Sequence, residues 1–275
     1  MNKIKITDYN LPITLIGGQS FSWDFKNGFY YGFTSSKVIK LKSEDETLFW
    51  QTYPEHNDSE FVKSYLRIDT DYTKILKKIE KDKYIKSAIK KYPGLRLLKQ
   101  DFEQTLLSFM ITSNNNIKSI RKIIRSLNRK FGKSIIVDGE KIFLFPETER
   151  FAEATLEDLL KCKLGFRAKF IKKAASHIIQ TNLKGKIRKL SETNARQSLK
   201  EISGIGDKIT DCILVFSLDF DNVTPLDVWG KRVLTDLYKL NPKMKYEYMR
   251  DWLGHYFEGY AGWAGQFLFE YIRNL

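Results

Sequence analysis

The sequence predicts an α+β protein, in which an N-terminal antiparallel β-sheet domain precedes a larger all-α domain. Residues 2–53 are rich in Val, Ile, Phe, Tyr and Trp and are interrupted by turn residues. From Leu95 onward, by contrast, apolar residues recur at helical spacing. Hydrophobic residues make up 42% of the 275, which is enough for a sizeable core. We therefore predict an α+β domain over residues 1–98 and an all-α domain over residues 99–275.

Turn and capping residues mark the elements of the first domain. Asn27-Gly28 lies between two aromatic-rich segments and indicates a β-hairpin, because both residues tolerate positive φ. Asp58-Ser59 predicts the start of a helix after the sheet. Helical spacing then continues to Tyr92, where Pro93-Gly94 ends it.

The second domain is predicted to be almost wholly helical. Residues 135–145 form one exception, a small hairpin around Asp138-Gly139. Thr155 followed by Asp158 resembles a capping box at the start of a helix. Helices are predicted near residues 156–161, 167–181, 195–201, 207–217, 228–240, 246–257 and 263–273.

Charge and cysteine content narrow the possible functions. Lys and Arg outnumber Asp and Glu by 47 to 33, and the resulting charge of +14 favours a polyanionic partner, although a solvated basic surface is the alternative. Two cysteines are too few for a four-thiolate cluster. No secretory segment or membrane span is recognised, so we expect an intracellular protein of the cytoplasm, nucleoid or nucleus.

The most informative segment is a predicted helical hairpin at about residues 195–217. Gly204 and Gly206 permit a tight turn between its two helices, which Ile202, Ile205 and Ile209 can pack together. Glycines also let backbone N–H groups approach a phosphate at the positive end of the second helix. An ordinary glycine-rich connector is the alternative, but the whole pattern favours a grip on the DNA backbone.

Lys208 and Asp227 are the candidate catalytic residues. Lys208 falls in the first turn of the second helix of the hairpin, where a neutral amine can attack a sugar carbon and form a Schiff base. Asp227 begins the next helix, and its carboxylate can return close to Lys208 and stabilise an oxocarbenium-like state. A phosphate contact or surface cation is the alternative role for Lys208, and an N-cap is the alternative for Asp227.

These residues resemble the helix-hairpin-helix, Gly-Pro-Asp superfamily of DNA glycosylases, and within it the 8-oxoguanine DNA glycosylases with AP lyase activity. The resemblance implies a two-lobed helical domain with the active site between its lobes. It also implies that Lys208 is the nucleophile and Asp227 its partner in base-excision repair. The expected reaction is removal of 8-oxoguanine from duplex DNA by base flipping, followed by β-elimination.

Further segments match the same family and assign binding roles. Gly18-Gln19-Ser20-Phe21 resembles the segment whose glycine carbonyl recognises the oxidised base, and residues 95–101 resemble the start of the family's helical domain. The resemblance places Gly18, Cys212 and Phe269 in the base pocket, and Gln266 is a further candidate there. It assigns DNA contacts to Asn114, Phe166, Arg167, Gly204, Gly206 and Trp229. Taken singly, Cys212 and Phe269 are also ordinary core residues, and residues 114–116 are also a plausible helix cap.

Three positions depart from the family pattern. Ser119 replaces an arginine that faces the opposite cytosine, and Trp229 replaces a histidine near a phosphate. Gly265 replaces a glutamine that contacts the Watson–Crick edge, and the adjacent Gln266 points about 100° away on an ideal helix. The opposite-base preference is therefore expected to differ from the family pattern.

The expected partner is double-stranded DNA containing oxidised guanine, bound by a monomer, with no membrane association. No cofactor is required, and the resemblance implies that hairpin carbonyls can hold one structural monovalent or divalent cation. An alkylated-purine DNA glycosylase of the same fold is the nearest alternative, but it lacks the catalytic lysine. A non-enzymatic helix-hairpin-helix DNA-binding protein is the second, and it needs neither a pocket nor Asp227.

Overall fold

The computed structural model describes residues 1–274, which form an antiparallel sheet followed by a helical region, as the sequence predicts. The five strands are β1 (Asn2–Lys5), β2 (Trp23–Lys26), β3 (Phe29–Phe33), β4 (Val38–Glu44) and β5 (Thr47–Tyr53). They are ordered β1-β5-β4-β3-β2 in the sheet. All the pairs are antiparallel, so short turns suffice to connect β2 to β5.

Both predicted hairpins are present. Asn27 and Gly28 have φ angles of 50° and 80° and join β2 to β3, with Lys26 opposite Phe29. Asp138 and Gly139, at 51° and 79°, join β6 (Ser134–Val137) to β7 (Glu140–Phe143). Two consecutive residues with positive φ give the turn a twist that matches the flanking strands.

The helices follow the predicted order with three additions. Their bounds are α1 (Leu11–Ile16), α2 (Ser59–Leu66), α3 (Tyr72–Ile79), α4 (Lys83–Lys91), α5 (Phe102–Met110), α6 (Ile117–Phe131), α7 (Thr148–Glu153), α8 (Leu156–Lys161), α9 (Arg167–Thr181), α10 (Leu183–Ile187), α11 (Glu192–Lys200), α12 (Asp207–Ser217), α13 (Val228–Arg232), α14 (Tyr246–Tyr256) and α15 (Ala261–Arg273). Asp58 caps α2 and Thr155 caps α8, as predicted. The short helices α1, α7 and α10 were not predicted, because five or six residues are too few to establish a helical period.

The helix predicted over residues 228–240 is only partly correct, because helical structure ends at Leu237 and changes type after Arg232. Helix α13 ends at Arg232 and is followed by a π-helical turn, Val233–Leu237. The Tyr238 N–H donates to the Val233 carbonyl (3.3 Å), and the Tyr238 hydroxyl donates to Asp82 (3.0 Å). The widened turn thus accompanies a tertiary hydrogen bond, which the sequence period does not reveal.

A buried arginine joins the sheet domain to the helical region. Arg67 follows α2 and donates to both carboxylate oxygens of Asp221 (2.7 and 2.9 Å) and to Asp219 (3.1 Å). Asp221 also accepts from the Trp263 indole of α15 (2.9 Å). Because Nη1 of Arg67 bonds Asp221 while Nη2 bonds Asp219, the charge-assisted contact holds the segment after α12 against both neighbours. Within residues 1–274, none of the helices combines the length and apolarity needed to cross a bilayer.

Candidate active site

The candidate site is a surface cleft that opens into a small inner cavity. The cleft has a volume of about 1220 Å³ and the inner cavity about 80 Å³. Five residues line both: Gly18, Phe109, Lys208, Asp227 and Phe269. All of these except Phe109 were predicted from the sequence as site residues. The structure therefore brings these four predicted residues together at the mouth of the inner cavity.

The hairpin of α11 and α12 presents the N-terminus of α12 to the cleft. Gly204 has a φ of +96°, and a Cβ there would lie 3.0 Å from the ring of Phe170, so the turn requires glycine. Gly206 caps α12 without a side-chain hydrogen bond and lines the cleft. The first N–H groups of α12 are thus directed at the cleft without a side-chain acceptor, as expected for an anion site.

Lys208 lies in the first turn of α12 and is partly buried. Its Nζ donates to the Thr112 hydroxyl (3.2 Å) and lies 5.5 Å from the centre of the Phe109 ring. The Thr112 hydroxyl in turn donates to the Phe109 carbonyl (2.7 Å), so its oxygen is free to accept from the amine. A neutral hydroxyl and an aromatic face therefore hold the amine at the cavity mouth.

Asp227 is the N-cap of α13. Its Oδ1 accepts from the Gly230 N–H (2.9 Å), which is the hydrogen bond expected if Asp227 acts as an N-cap. Asp227 also lines both cavities with Lys208. Capping and a catalytic role are compatible, because a carboxylate has two oxygens and the capping bond fixes the side chain in one orientation.

Cys212 and Phe269 form walls of the inner cavity. Cys212 lies one turn after Lys208 on α12 and is 2% exposed. Burial raises the pKa of its thiol to about 12, although the nearby Lys208 opposes this shift. The wall is therefore an uncharged, polarisable sulfur, which suits contact with a flat base. The Arg273 guanidinium lies 5.1 Å from the Phe269 ring.

The Gly18 loop is held in place by Gln19. The buried Gln19 amide donates to the Thr14 carbonyl (2.9 Å) and the Arg96 carbonyl (2.8 Å), and its oxygen accepts from the Leu98 N–H (2.8 Å). These bonds tie the loop to residues 95–101. The two family-like segments are thus partners in one hydrogen-bonded unit that sets the position of Gly18.

Thr224 explains why Gly265 departs from the family pattern. A Cβ at position 265 would lie 1.9 Å from the Thr224 hydroxyl oxygen, so a larger residue is excluded there unless that loop moves. The next residue, Gln266, lines the inner cavity and is 6% exposed, and its Nε2 has no partner among residues 1–274. An amide side chain is therefore present in the pocket, one position later than in the family.

Phe166 and Arg167 lie beside the cleft rather than in its lining. Phe166 is 55% exposed, as expected for a side chain that wedges into a duplex. The Arg167 guanidinium donates to the carbonyls of Ser113 (3.0 Å) and Asn114 (3.3 Å). Arg167 thus ties the Phe166 loop to the Asn114 loop, which lines the cleft together with Trp229.

Several residues of the site were not predicted from the sequence. Thr112 and Tyr246 line the cleft, Thr224 lines the inner cavity, and Arg273 lies at the edge of the cleft. Thr112 stands two residues before the asparagine triplet, which is the one pattern that could have indicated it. Arg273 stands one helical turn after Phe269 on α15, and that spacing could have indicated it, whereas Thr224 and Tyr246 are brought to the site by tertiary packing.

Glu270 is a buried carboxyl group next to the pocket wall. Its side chain is 2% exposed and pairs with Arg273 (3.1 Å), while Oε1 has no partner among the described residues. Burial raises the pKa of Glu270 to about 7, and Arg273 offsets part of that shift.

Comparison with known proteins finds two family models. Residues 2–106 match the 8-oxoguanine DNA glycosylase N-terminal domain, and residues 107–256 match the HhH-GPD superfamily of base excision DNA repair proteins. The two matches follow each other along the chain, as the sheet and the helical region do.

Individual relatives agree with the family models. The chain is 28% identical to N-glycosylase/DNA lyase OGG1 of Arabidopsis thaliana, over 97% of this chain and 78% of the relative. It is similar to the solved structure of MBOgg1 in complex with a low-affinity DNA ligand, with a TM-score of 0.93, 32% identity and coverage of 99% and 95%. It is also similar to the Clostridium acetobutylicum 8-oxoguanine glycosylase/lyase in complex with double-stranded DNA, with a TM-score of 0.90, 31% identity and coverage of 97% and 92%.

The raised pKa of Glu270 predicts a stability change with pH. The folded-state pKa of about 7 exceeds the ordinary value of 4.5. The protonated Glu270 therefore contributes fully to the free energy of unfolding below pH 4.5, and this contribution is lost as pH rises through 7. Glu270→Gln should remove this loss and stabilise the protein at pH 8 by on the order of 1–3 kcal/mol, with little change at pH 4. Thermal unfolding across this range measures it. Glu60→Gln is the control, because the Glu60 side chain is 89% exposed. If the stability of the Glu270→Gln protein changes with pH as steeply as that of the wild type, the prediction is contradicted.

Proposed function

The chain belongs to the HhH-GPD superfamily of base excision DNA repair proteins, and we propose from this premise that it excises 8-oxoguanine from duplex DNA and cleaves the abasic strand. The observation that carries the proposal is the place of Lys208. Lys208 lines both the cleft and the inner cavity, and so does Asp227. A sugar whose base occupies the cavity would bring its anomeric carbon to this mouth.

Lys208 supplies the nucleophile. Its neutral amine attacks the anomeric carbon, and the new C–N bond replaces the bond to the base, which leaves with the electron pair and takes up a proton. Opening of the sugar ring then gives a Schiff base. Loss of a proton from the adjacent carbon expels the 3′ phosphate and breaks the strand. The Thr112 hydroxyl, which accepts from Nζ, orients the amine for the first step.

Asp227 stabilises the positive charge that develops on the sugar. A carboxylate at a partly buried position interacts with such a charge more strongly than in water. Its cap bond to Gly230 means that the orientation is fixed before substrate binds. Preorganisation of this kind lowers the barrier because no reorganisation is required during the reaction.

The inner cavity suits a flipped purine. Cys212 and Phe269 are flat or soft walls, Gly18 offers its backbone, and the unpartnered amide of Gln266 offers hydrogen bonds. The cleft offers the N-terminus of α12 to a phosphate, with Asn114 and Trp229 nearby. Phe166 on its exposed loop is the proposed wedge.

The chemistry uses no cofactor, because Lys208 provides the covalent step. Carbonyl oxygens are the ligands that hard cations prefer, and the Ile202 carbonyl in the hairpin turn accepts from Ile205 N–H (3.1 Å) and keeps a second lone pair. We propose that carbonyls of this turn can hold a structural cation. We place the protein, as a monomer, inside the cell with the DNA that it repairs.

Lys208→Gln should abolish both excision and covalent trapping, since glutamine keeps a polar side chain, one atom shorter, but is not a nucleophile. Single-turnover excision on an 8-oxoguanine duplex and borohydride cross-linking measure the two. Lys231→Gln, at another lysine of the cleft, is the matched control and should retain both. Excision without cross-linking by the wild-type protein would favour a monofunctional, alkylated-purine type of glycosylase. DNA binding without excision would favour a non-enzymatic module.

Asp227→Asn should slow single-turnover excision by about 10²–10³ while leaving folding and DNA affinity largely intact. Asparagine keeps most of the capping ability, whose full loss would cost about 1 kcal/mol. Asp236→Asn, at an exposed carboxylate of the π-helical turn, serves as the control. Near-normal excision by the Asp227 variant would show that the residue is a cap and no more.

Excision should depend weakly on the base opposite the lesion. Ser119 carries one short hydroxyl, and the Arg167 guanidinium is occupied by the carbonyls of Ser113 and Asn114. A bidentate arginine contact would discriminate by ~1–3 kcal/mol. Without one, single-turnover rates opposite cytosine and adenine should agree within about tenfold. Ser119→Arg should raise the cytosine preference. A wild-type preference of several hundredfold would mean that another residue reads the opposite base.

A further inference from the structure

The backbone just before Asp227 is held by a side chain from a different helix. The Leu226 N–H donates to the Tyr246 hydroxyl oxygen (3.1 Å), and Tyr246 is the first residue of α14. Leu226 is 3% exposed, so its N–H would be left without a partner if the hydroxyl were removed. Leu226 directly precedes Asp227, and Pro225 before it has no N–H to donate, so the Leu226 N–H is the backbone donor of this pair.

The same hydroxyl is anchored to the helix that carries Lys208. Tyr246 donates to Asp211 Oδ2 (2.5 Å), and Asp211 lies three residues after Lys208 on α12 with 0% exposure. Arg196 of α11 donates to Asp211 Oδ1 (2.5 Å) and to Glu192 (2.8 Å). A buried carboxylate is tolerated here because both of its oxygens accept hydrogen bonds.

A continuous hydrogen-bonded chain therefore runs from α11 through α12 and α14 to the segment of the catalytic carboxylate. Asp227 itself bonds forward to Gly230, which fixes its side chain, whereas Tyr246 fixes the main chain behind it. The distance between the amine and the carboxylate depends on both attachments. Of the two, only the Tyr246 contact connects the Asp227 segment to α12, the helix that carries Lys208.

We propose that Tyr246 is a positioning residue for Asp227, which holds the Leu226–Asp227 segment at a fixed place relative to α12. The proposal rests on the function proposed above for Lys208 and Asp227. Tyr246 also lines the DNA cleft, so a direct contact with DNA is the competing role. Its hydroxyl hydrogen and one lone pair are already used within the protein, which favours the positioning role.

Tyr246→Phe should lower single-turnover excision by about ten- to a hundredfold, since small misplacements of a catalytic group have effects of this size. The Kd for the duplex should be unchanged. Tyr248→Phe, on the same helix at a side chain 60% exposed, should behave as wild type. Rates are compared at a temperature where thermal unfolding shows each variant to be folded. Asp211→Asn, which weakens the anchor, provides a second variant with the same expected direction.

A double-mutant cycle with Asp227→Asn separates positioning from a general structural effect. If Tyr246 acts through Asp227, Tyr246→Phe should cause no further loss in the Asp227→Asn background. Equal losses in both backgrounds would overturn the proposal, as would unchanged excision or a weakened Kd at an unchanged rate. If Asp227→Asn slows excision and Tyr246→Phe does not, only the positioning role fails. If Asp227→Asn has no effect, the proposed role of Asp227 fails as well.

Discussion

The buried helix α12 is the constraint on which the rest of the site depends. Residues 209–217 are all buried, so the helix is fixed in the core, while its N-terminus is exposed to the cleft. Three site features follow from its period of about 3.6 residues. Lys208 lies at the cavity mouth, Cys212 one turn deeper forms a wall, and Asp211 on another face anchors Tyr246. A rigid helix of this kind places nucleophile, wall and anchor with few adjustable torsions between them.

The remaining parts of the pocket come from both domains. Gly18 belongs to a loop after α1, and its position is set by the bonds of Gln19 to residues 95–101. Phe269 and Gln266 come from α15, and Asp227 comes from the start of α13. The Arg67–Asp221 pair holds the segment after α12 against the sheet domain and α15. Since no single element contains the site, its geometry depends on how the sheet and the helices are packed together.

Much of this arrangement could be predicted from the sequence, because glycine turns, caps and helical periods are local. The hairpins at Asn27-Gly28 and Asp138-Gly139, the cap at Thr155 and the glycine turn before Lys208 are of this kind. The π-helical turn after Arg232 was missed because it accompanies a tertiary contact of Tyr238 with Asp82. Thr224 and Tyr246 were missed for the same reason, since their partners lie 37 and 20 residues away in the chain. The roles of individual residues were inferred from the family resemblance and not from local patterns. The structure adds the position of each of these residues.

The central claim is that the Lys208 amine becomes covalently attached to the sugar of the damaged nucleotide. Locating that bond in the unmodified protein tests it most directly. The wild-type protein would be trapped with borohydride on a duplex containing 8-oxoguanine, digested with nuclease and protease, and examined by tandem mass spectrometry for a lysine carrying the reduced sugar remnant. The account predicts the remnant on Lys208. A remnant on Lys231, the other lysine of the cleft, or on Lys200 of the hairpin would contradict it.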